Sequence, residues 1–292
     1  MYELIQISDH DYYIDCPAKI GVIRISENEV VLIDGGSDKD AGKKVLKHIE
    51  ANGWTLKAIY STHSHADHTG GNKLLQDRTG CKIYANGLDC IVTNNPELEP
   101  TCLYGGLPFK DFKNKFLMAA ESKAEQLSDD VLPAGFEIIN LPGHSYDMVG
   151  FKTPDGNAFI ADALSSEATL KKYGIGYTWN PEEAIKTLEL LKALNANCYI
   201  PAHAEVTKDI SALIEINIEA IKKLYEDLLE ICSEKQSFDS ILKQVFDRYS
   251  MSMTTQQFAL IGSTIKSYLS SLYSQEKIEI CIEENMMFWK KK

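Results

Sequence analysis

The stretch YSTHSHADHTGG, residues 60–71, carries three histidines and one aspartate within six positions: His63, His65, Asp67 and His68. Residues two apart in an extended segment point to the same side, so His63 and His65 can face one point, and Asp67 and His68, past a bend, a second. Zinc accepts imidazole nitrogen and carboxylate oxygen at roughly 2.0–2.2 Å. The stretch therefore predicts a metal site.

Three further candidate ligands lie at the ends of predicted strands. His144 and His203 each come just after an apolar strand, and Asp162 closes another. Such edges are where an α/β scaffold usually gathers its functional groups. One carboxylate can bridge two ions held about 3.5–4 Å apart. Five histidines and two aspartates therefore fit two ions that share Asp162.

Composition narrows the class of protein. The chain has 292 residues with a formal net charge of -12, which disfavours general binding of nucleic acids. It lacks a run of about 20 apolar residues, so we expect no membrane-spanning helix. The seven cysteines are scattered and never spaced C-x-x-C, which argues against disulfides and cysteine zinc sites. With no signal-peptide pattern at the start, we expect a cytoplasmic protein.

The organisation changes twice along the chain. Residues 1–207 read as alternating strands and helices, interrupted by a segment at 86–133 with a helical stretch to about Gln126. We interpret 86–133 as an insertion that covers the site as a lid or substrate pocket. Residues 208–292 read as three helices with apolar stripes followed by a hairpin. That order predicts a second, winged-helix-like domain.

The ordered set of motifs resembles the metallo-β-lactamase superfamily over roughly residues 1–207. The H-x-H-x-D-H motif at 63–68 is followed by His144, Asp162 and His203, and Asp34 in VLIDGG is similar to the family's first aspartate motif. The resemblance implies an α/β fold, an αββα sandwich with the site at one edge of its sheets.

The resemblance also implies how the ligands are shared. Two zinc ions would be bridged by Asp162, with a hydroxide between them as the nucleophile. The groups would be His63, His65 and His144 for the first ion, and Asp67, His68 and His203 for the second. Asp67 would also act in catalysis, accepting a proton or orienting the hydroxide. Iron and manganese suit the same ligands.

Two positions depart from particular branches of the family. Asp162 stands where β-lactamases of the commonest class have cysteine, and His65 stands where flavin-linked di-iron members have glutamate. We therefore expect a hydrolase of a small ester, thioester, lactone or phosphoester, as in glyoxalase II-like thioesterases, lactonases and phosphodiesterases. A mononuclear iron enzyme like the persulfide dioxygenases shares the full motif and is an alternative.

The C-terminal segment leaves further alternatives. Similar proteins with such tails include endoribonucleases, and a non-enzymatic metal-binding regulator would use a winged helix too. Residues 208–292 hold 11 basic and 13 acidic residues, a net of -2, which favours packing or a homodimer contact over nucleic acid. For a small-molecule substrate, Tyr104, Phe109 and Tyr177 are the candidate pocket residues.

Overall fold

The computed structural model describes residues 2–292. Its strands are β1 (Glu3–Gln6), β2 (Asp11–Asp15), β3 (Ile20–Arg24), β4 (Glu29–Ile33), β5 (Thr55–Tyr60), β6 (Lys82–Ala85), β7 (Ala124–Gln126), β8 (Glu137–Asn140), β9 (Val149–Lys152), β10 (Asn157–Ala161), β11 (Cys198–Pro201), β12 (Gln236–Ser237), β13 (Ile278–Glu283) and β14 (Met286–Lys291).

The helices are α1 (Lys39–Ala51), α2 (Ala66–Thr69), α3 (Asn72–Thr79), α4 (Gly87–Asn94), α5 (Leu98–Tyr104), α6 (Glu167–Tyr173), α7 (Pro181–Ala193), α8 (Ser211–Ile231), α9 (Phe238–Arg248) and α10 (Thr255–Ser274). Short 3-10 turns lie at Lys110–Phe112 and Asp129–Val131. Within these described residues, none of the helices has the length and apolar character that crossing a membrane requires.

Strands β1 to β11 form two sheets that stack on each other. In the first, β1 to β7 lie side by side in chain order, with β1 to β4 antiparallel and β4 to β7 parallel. The second has the order β11-β10-β9-β8, and only its β10–β11 pair is parallel. Its strand ends and those of the first sheet carry the candidate ligands.

The run Val30–Ile33 in β4 shows why the two sheets stack. Val30 and Leu32 pack with α1 and α3 on one side, and Val31 and Ile33 pack against the second sheet on the other. A strand covered on both faces reads as a continuous apolar run rather than an alternating one.

The outer face of the second sheet is covered by α7 and α8. Leu188 and Leu191 from α7 and Ile214 and Ile218 from α8 share one core with Ile160 of β10. The layers are therefore helix, sheet, sheet and helix, which confirms the predicted αββα sandwich.

The segment 86–133 differs from its sequence interpretation. The helical stretch predicted to run to about Gln126 is wrong, because Ala124–Gln126 is a strand that pairs with β6 at the edge of the first sheet. The Asn94 side chain fixes this strand, since its amide accepts from the Ala124 N–H at 2.9 Å and donates to the Ala124 carbonyl at 2.9 Å. The segment is therefore joined to the scaffold at its end.

Residues 208–292 contain the predicted elements in the predicted order. After α8, α9 and α10 the hairpin of β13 and β14 is joined by the short β12 into a three-stranded sheet. Leu228, Ile241 and Ile265 lie in its core, whereas Ile214 and Ile218 of the same α8 pack on the second sheet. Helix α8 thus links both cores. The winged-helix interpretation and the boundary at 207 stay predictions.

Candidate metal centre

The seven predicted ligands meet at one edge of the sandwich. Each follows a strand, as expected: β5 leads to the histidine stretch and α2, and β8, β10 and β11 lead to the other three. They form two groups, and within each group the potential ligand atoms lie within 4.8 Å of one another. The first group is His63, His65 and His144, and the second is Asp67, His68, Asp162 and His203. We call these seven side chains the ligand floor.

The first group presents three imidazole nitrogens to one point. His65 Nδ1 lies 3.0 Å from His63 Nε2 and 3.0 Å from His144 Nε2. Burial lowers the pKa of His63 well below its usual value and that of His144 to about 4. These rings are therefore neutral at pH 7, the form in which imidazole binds a metal ion.

The second group mixes imidazoles with carboxylates. His203 Nε2 lies 3.2 Å from Asp67 Oδ2 and 3.2 Å from Asp162 Oδ2, and His68 Nε2 lies 3.1 Å from Asp162 Oδ1. Asp162 Oδ2 is also 3.4 Å from His144 Nε2. The Asp162 carboxylate thus faces both groups.

Charge distinguishes the second group from the first. Burial opposes a proton on His203, but Asp162 and Asp67 outweigh it and raise its pKa to about 10. Burial likewise opposes a proton on His68, and Asp162, Asp67 and Asp34 raise its pKa well above the usual value. Without metal, protons on these rings balance the carboxylates, so a cation that binds here replaces them.

Four of the imidazoles hold their outer ring nitrogen against a fixed partner. An oriented outer nitrogen fixes the ring and its tautomer, the arrangement found around metal-ligating histidines. The pairs are His68 Nδ1 with Asp34 Oδ2 at 2.8 Å, His63 Nδ1 with Thr62 Oγ1 at 3.0 Å, His203 Nδ1 with the Pro17 carbonyl at 2.8 Å, and His144 Nδ1 with the Tyr177 carbonyl at 3.2 Å.

Two buried polar atoms of the ligand floor indicate that a metal ion fits there. Among the described residues, His68 Nε2 and Asp162 Oδ1 are buried 3.1 Å from each other, but neither makes a hydrogen bond of good geometry. Buried polar atoms nearly always have one, and these two point into the centre of the second group. Imidazole nitrogen and carboxylate oxygen are a donor set for zinc and related ions. The residues present fit a metal ion.

The two glycines that close the opening stretch hold α2 in place. A Cβ at Gly70 would lie 2.2 Å from the Ser37 carbonyl oxygen, and one at Gly71 would lie 2.1 Å from the Gly35 carbonyl oxygen. Only glycine allows this approach to the loop after β4. The contact fixes the helix that carries Asp67 and His68.

Asp89, a buried carboxylate of α4, was not found from the sequence. It accepts hydrogen bonds from the Ser64 N–H at 2.9 Å, the Ser64 hydroxyl at 2.8 Å and the Ser145 hydroxyl at 2.6 Å. It therefore ties the loop after β5 to the loop that carries His144. An isolated aspartate on a short helix, outside any ligand motif, gives no sequence signal for this role.

Glu99 of α5 was also missed. Its Oε1 lies 3.5 Å from His65 Nε2, and only 5% of its surface is exposed. Burial, with the nearby Asp89 and Asp67, raises the pKa of this carboxyl to about 8. Glu99 is therefore the partner that the structure offers to the outer nitrogen of His65.

A cleft of about 440 Å³ opens above the ligand floor. Tyr177 lines it, with its ring centroid 5.2 Å from that of His65, and its contact with a substrate stays a prediction. Tyr104 and Phe109 do not line it, and the expectation for them is corrected: their rings pack on the buried Phe112 with centroids 5.4 and 4.3 Å away.

The fold and the floor agree with a family match. The profile of the metallo-beta-lactamase superfamily matches residues 13–203 of this chain. The matched range contains all seven residues of the ligand floor. The chain belongs to the metallo-β-lactamase superfamily.

Individual relatives are distant. A hydroxyacylglutathione hydrolase from Erythrobacter litoralis is 26% identical over 165 residues, which are 54% of this chain and 52% of that protein. A metal-dependent hydrolase from Myxococcus xanthus is 28% identical over 191 residues, 62% of this chain and 66% of that one. The match thus spans only about half the length of the first relative.

A solved structure supports the fold over the whole chain. A metallo-beta-lactamase family protein from Thermus thermophilus superposes with a TM-score of 0.72 and 17% identity, covering 99% of this chain and 97% of that one. The likeness extends through residues 208–292. At this identity it is a statement about fold alone.

Proposed function

We propose that this protein is a metal-dependent hydrolase with a dinuclear zinc site that cleaves a small ester, thioester, lactone or phosphoester. The observation that carries the proposal is the Asp162 carboxylate, whose two oxygens face His68, His203 and His144 across both ligand groups. A carboxylate in that position suits two ions rather than one.

The family and the relatives support hydrolysis. Two relatives bear the names hydroxyacylglutathione hydrolase and metal-dependent hydrolase. Asp162 stands where the commonest β-lactamases have cysteine, so we do not assign cleavage of antibiotics. When bound, a pair of zinc ions lowers the pKa of water to near 7 and polarises the group under attack.

Asp67 is the residue we place in the chemistry. Its side chain is 44% exposed, whereas that of His68 is fully buried and that of Asp162 is 9% exposed, and it lines the cleft. The partial burial of Asp67 opposes its ionisation, but His68 and the hydrogen bond from His203 outweigh that and lower its pKa. Asp67 is therefore an ionised carboxylate at neutral pH, placed to orient a water molecule or accept its proton.

An activity panel with defined metals tests the proposal. The protein is stripped of metal, loaded with zinc, iron or manganese, and assayed on esters, a hydroxyacyl-glutathione thioester, lactones, phosphodiesters and RNA. We expect hydrolysis of at least one ester, thioester, lactone or small phosphoester by the zinc form. Oxygen consumption by an iron form that hydrolyses nothing would replace the proposal with the mononuclear iron alternative, and cleavage of RNA alone with the nuclease alternative.

A further inference from the structure

The cleft has one side built without any residue of the ligand motif. Five apolar or aromatic side chains line it, and we call them the apolar wall: Phe116, Leu117, Tyr173, Tyr177 and Leu260. They come from the 86–133 segment, from α6, from the connection to α7 and from α10. Three parts of the chain that are distant in sequence thus meet at one surface.

The base of the apolar wall is firmly packed. Leu117 lies in a small core with Leu103, Phe112 and Ala259, and Tyr177 and Leu260 pack against that core. Leu117 is 4% exposed, so the base of the wall is not a loose loop. Because Ala259 and Leu260 both belong to α10, the C-terminal helix forms part of the substrate cleft.

The rim of the wall is unusually open. Phe116 is 70% exposed and Tyr173 48% exposed, although both border a concave site. Exposed apolar side chains beside a pocket are the usual anchors for the apolar body of a small ligand. Their surface is available for a substrate to cover.

The charges in the cleft are unsuited to a polyanionic substrate. Among the described residues that line it, Lys115 is the one lysine or arginine, and its Nζ lies 2.9 Å from Asp38 Oδ2. Asp38 therefore neutralises it. A substrate with several carboxylates finds no free cation on this side of the cleft.

We infer that the cleft takes esters or lactones with an uncharged, apolar acyl chain, which lies on the apolar wall, and that α10 sets this specificity through Leu260. The inference rests on the proposed hydrolase function and names its substrate class. It places residues 208–292 in substrate selection, since the face of α10 around Leu260 packs inward on the 86–133 segment. A glutathione thioester, whose polar tripeptide carries two carboxylates and one ammonium group, cannot lie on the apolar wall and is expected to be a poor substrate.

A chain-length series tests the inference. The zinc-loaded protein is assayed on p-nitrophenyl esters from acetyl to decanoyl and on the hydroxyacyl-glutathione thioester. We expect kcat/KM to rise about threefold to fourfold per added methylene until the wall is covered, as burial of one CH₂ predicts. A flat series, or a preference for the glutathione thioester, would overturn the inference.

Variants assign the effect to the wall. Leu260→Ala and Phe116→Ala should each lower kcat/KM for the longest ester by about fivefold or more, mainly through KM, and lower it much less for the acetyl ester. Phe116 is so exposed that its removal does not threaten folding. Leu190→Ala is the matched control, because this leucine of α7 is 44% exposed and does not line the cleft. Equal losses for acetyl and long-chain esters would contradict the assignment.

A binding experiment that needs no catalysis tests this inference independently of the proposed function. Metal-free protein is titrated with uncleaved short-chain and long-chain lactones by calorimetry. Tighter binding of the long-chain lactone, lost in Leu260→Ala, supports the inference even if the metal-loaded protein hydrolyses nothing and the proposed function fails. Equal binding of both lactones would contradict the inference even if short esters are hydrolysed.

Discussion

The ligand floor and the apolar wall border the same cleft, yet they are built from different kinds of segment. The floor comes from loops at strand ends, with His63 and His68 fully buried and outer ring nitrogens held by fixed partners. The wall comes from irregular segments and helices that meet only in the folded chain, and Phe116 at its rim is exposed. From this difference we propose that reaction chemistry and substrate choice are encoded separately in this chain. Substitutions in the ligand floor should lower the activity on all substrates alike, whereas substitutions in the apolar wall should lower it mainly for long-chain substrates.

The largest effect should come from Asp162→Ala. Because this carboxylate faces both ligand groups, its loss should lower kcat for every substrate by at least about 10³ and reduce the metal content. Metal analysis and kinetics on a short and a long ester check this. Asp77→Ala, in an exposed carboxylate of α3, is the control. Full activity of the Asp162 variant would remove the bridging role.

Asp34→Asn should have the next largest effect. Asp34 accepts from the Thr62 N–H at 2.8 Å and from His68 Nδ1 at 2.8 Å, so the variant loosens the ring of one ligand. We expect zinc affinity to fall about 10-fold to 100-fold, as is usual for partners of metal ligands. Competition with a chelator measures it. Unchanged affinity would show that the outer partner of His68 is dispensable.

Asp227→Ala should weaken the support of the wall without touching the floor. This buried carboxylate of α8 binds Lys223, Arg248 and Tyr249, and its loss should destabilise the chain by roughly 2–3 kcal/mol. Chemical denaturation of the wild type and variant measures the difference. A variant as stable as the wild type would mean that this network does not hold the C-terminal helices.

The stability that Asp227 contributes should depend on pH and disappear in acid. Burial opposes the charge of Asp227, but the hydrogen bonds from Lys223, Tyr249 and Arg248 outweigh it and lower its pKa. A carboxyl with a lowered pKa contributes stability that is present above its unfolded value of about 3.9 and is lost as pH falls through the folded value. The wild type should therefore lose its advantage over Asp227→Ala below about pH 4. An advantage that persists in acid would contradict the network.

Lys115→Ala should have the smallest effect. Its pair with Asp38 is exposed, and such pairs contribute about 0–1 kcal/mol. We expect kcat/KM for uncharged esters to change by less than about threefold. A large loss confined to an anionic substrate would show instead that Lys115 binds anions and that the wall is not purely apolar.

The sequence predicts the floor and little of the wall. All seven floor residues follow from local spacing and from their position after strands, because parallel strand ends meet at one edge whatever the rest of the chain does. The sequence points to Tyr104 and Phe109 rather than to Phe116 and Leu260, because only tertiary packing decides which apolar side chains reach the cleft.

Short elements were the weak part of the fold prediction. Strand β2, with the sequence DYYID, was not predicted, since its outer residues are charged and its alternation is weak. The sequence predicts helix where β7 lies, because three residues show no strand period and their position is fixed by contacts with Asn94 and β6. The strand β4 is recognisable from the sequence, since a strand buried on both faces reads as a continuous apolar run.

The central claim is that the ligand floor holds two metal ions through Asp162, and metal counting tests it most directly. Purified protein is stripped, titrated with zinc, and assayed for bound ions and activity at each step. We predict two zinc ions per chain, with full activity only when both are bound, and a loss of the second ion in His203→Ala. One ion per chain with full activity, unaffected by His203→Ala, would contradict the account.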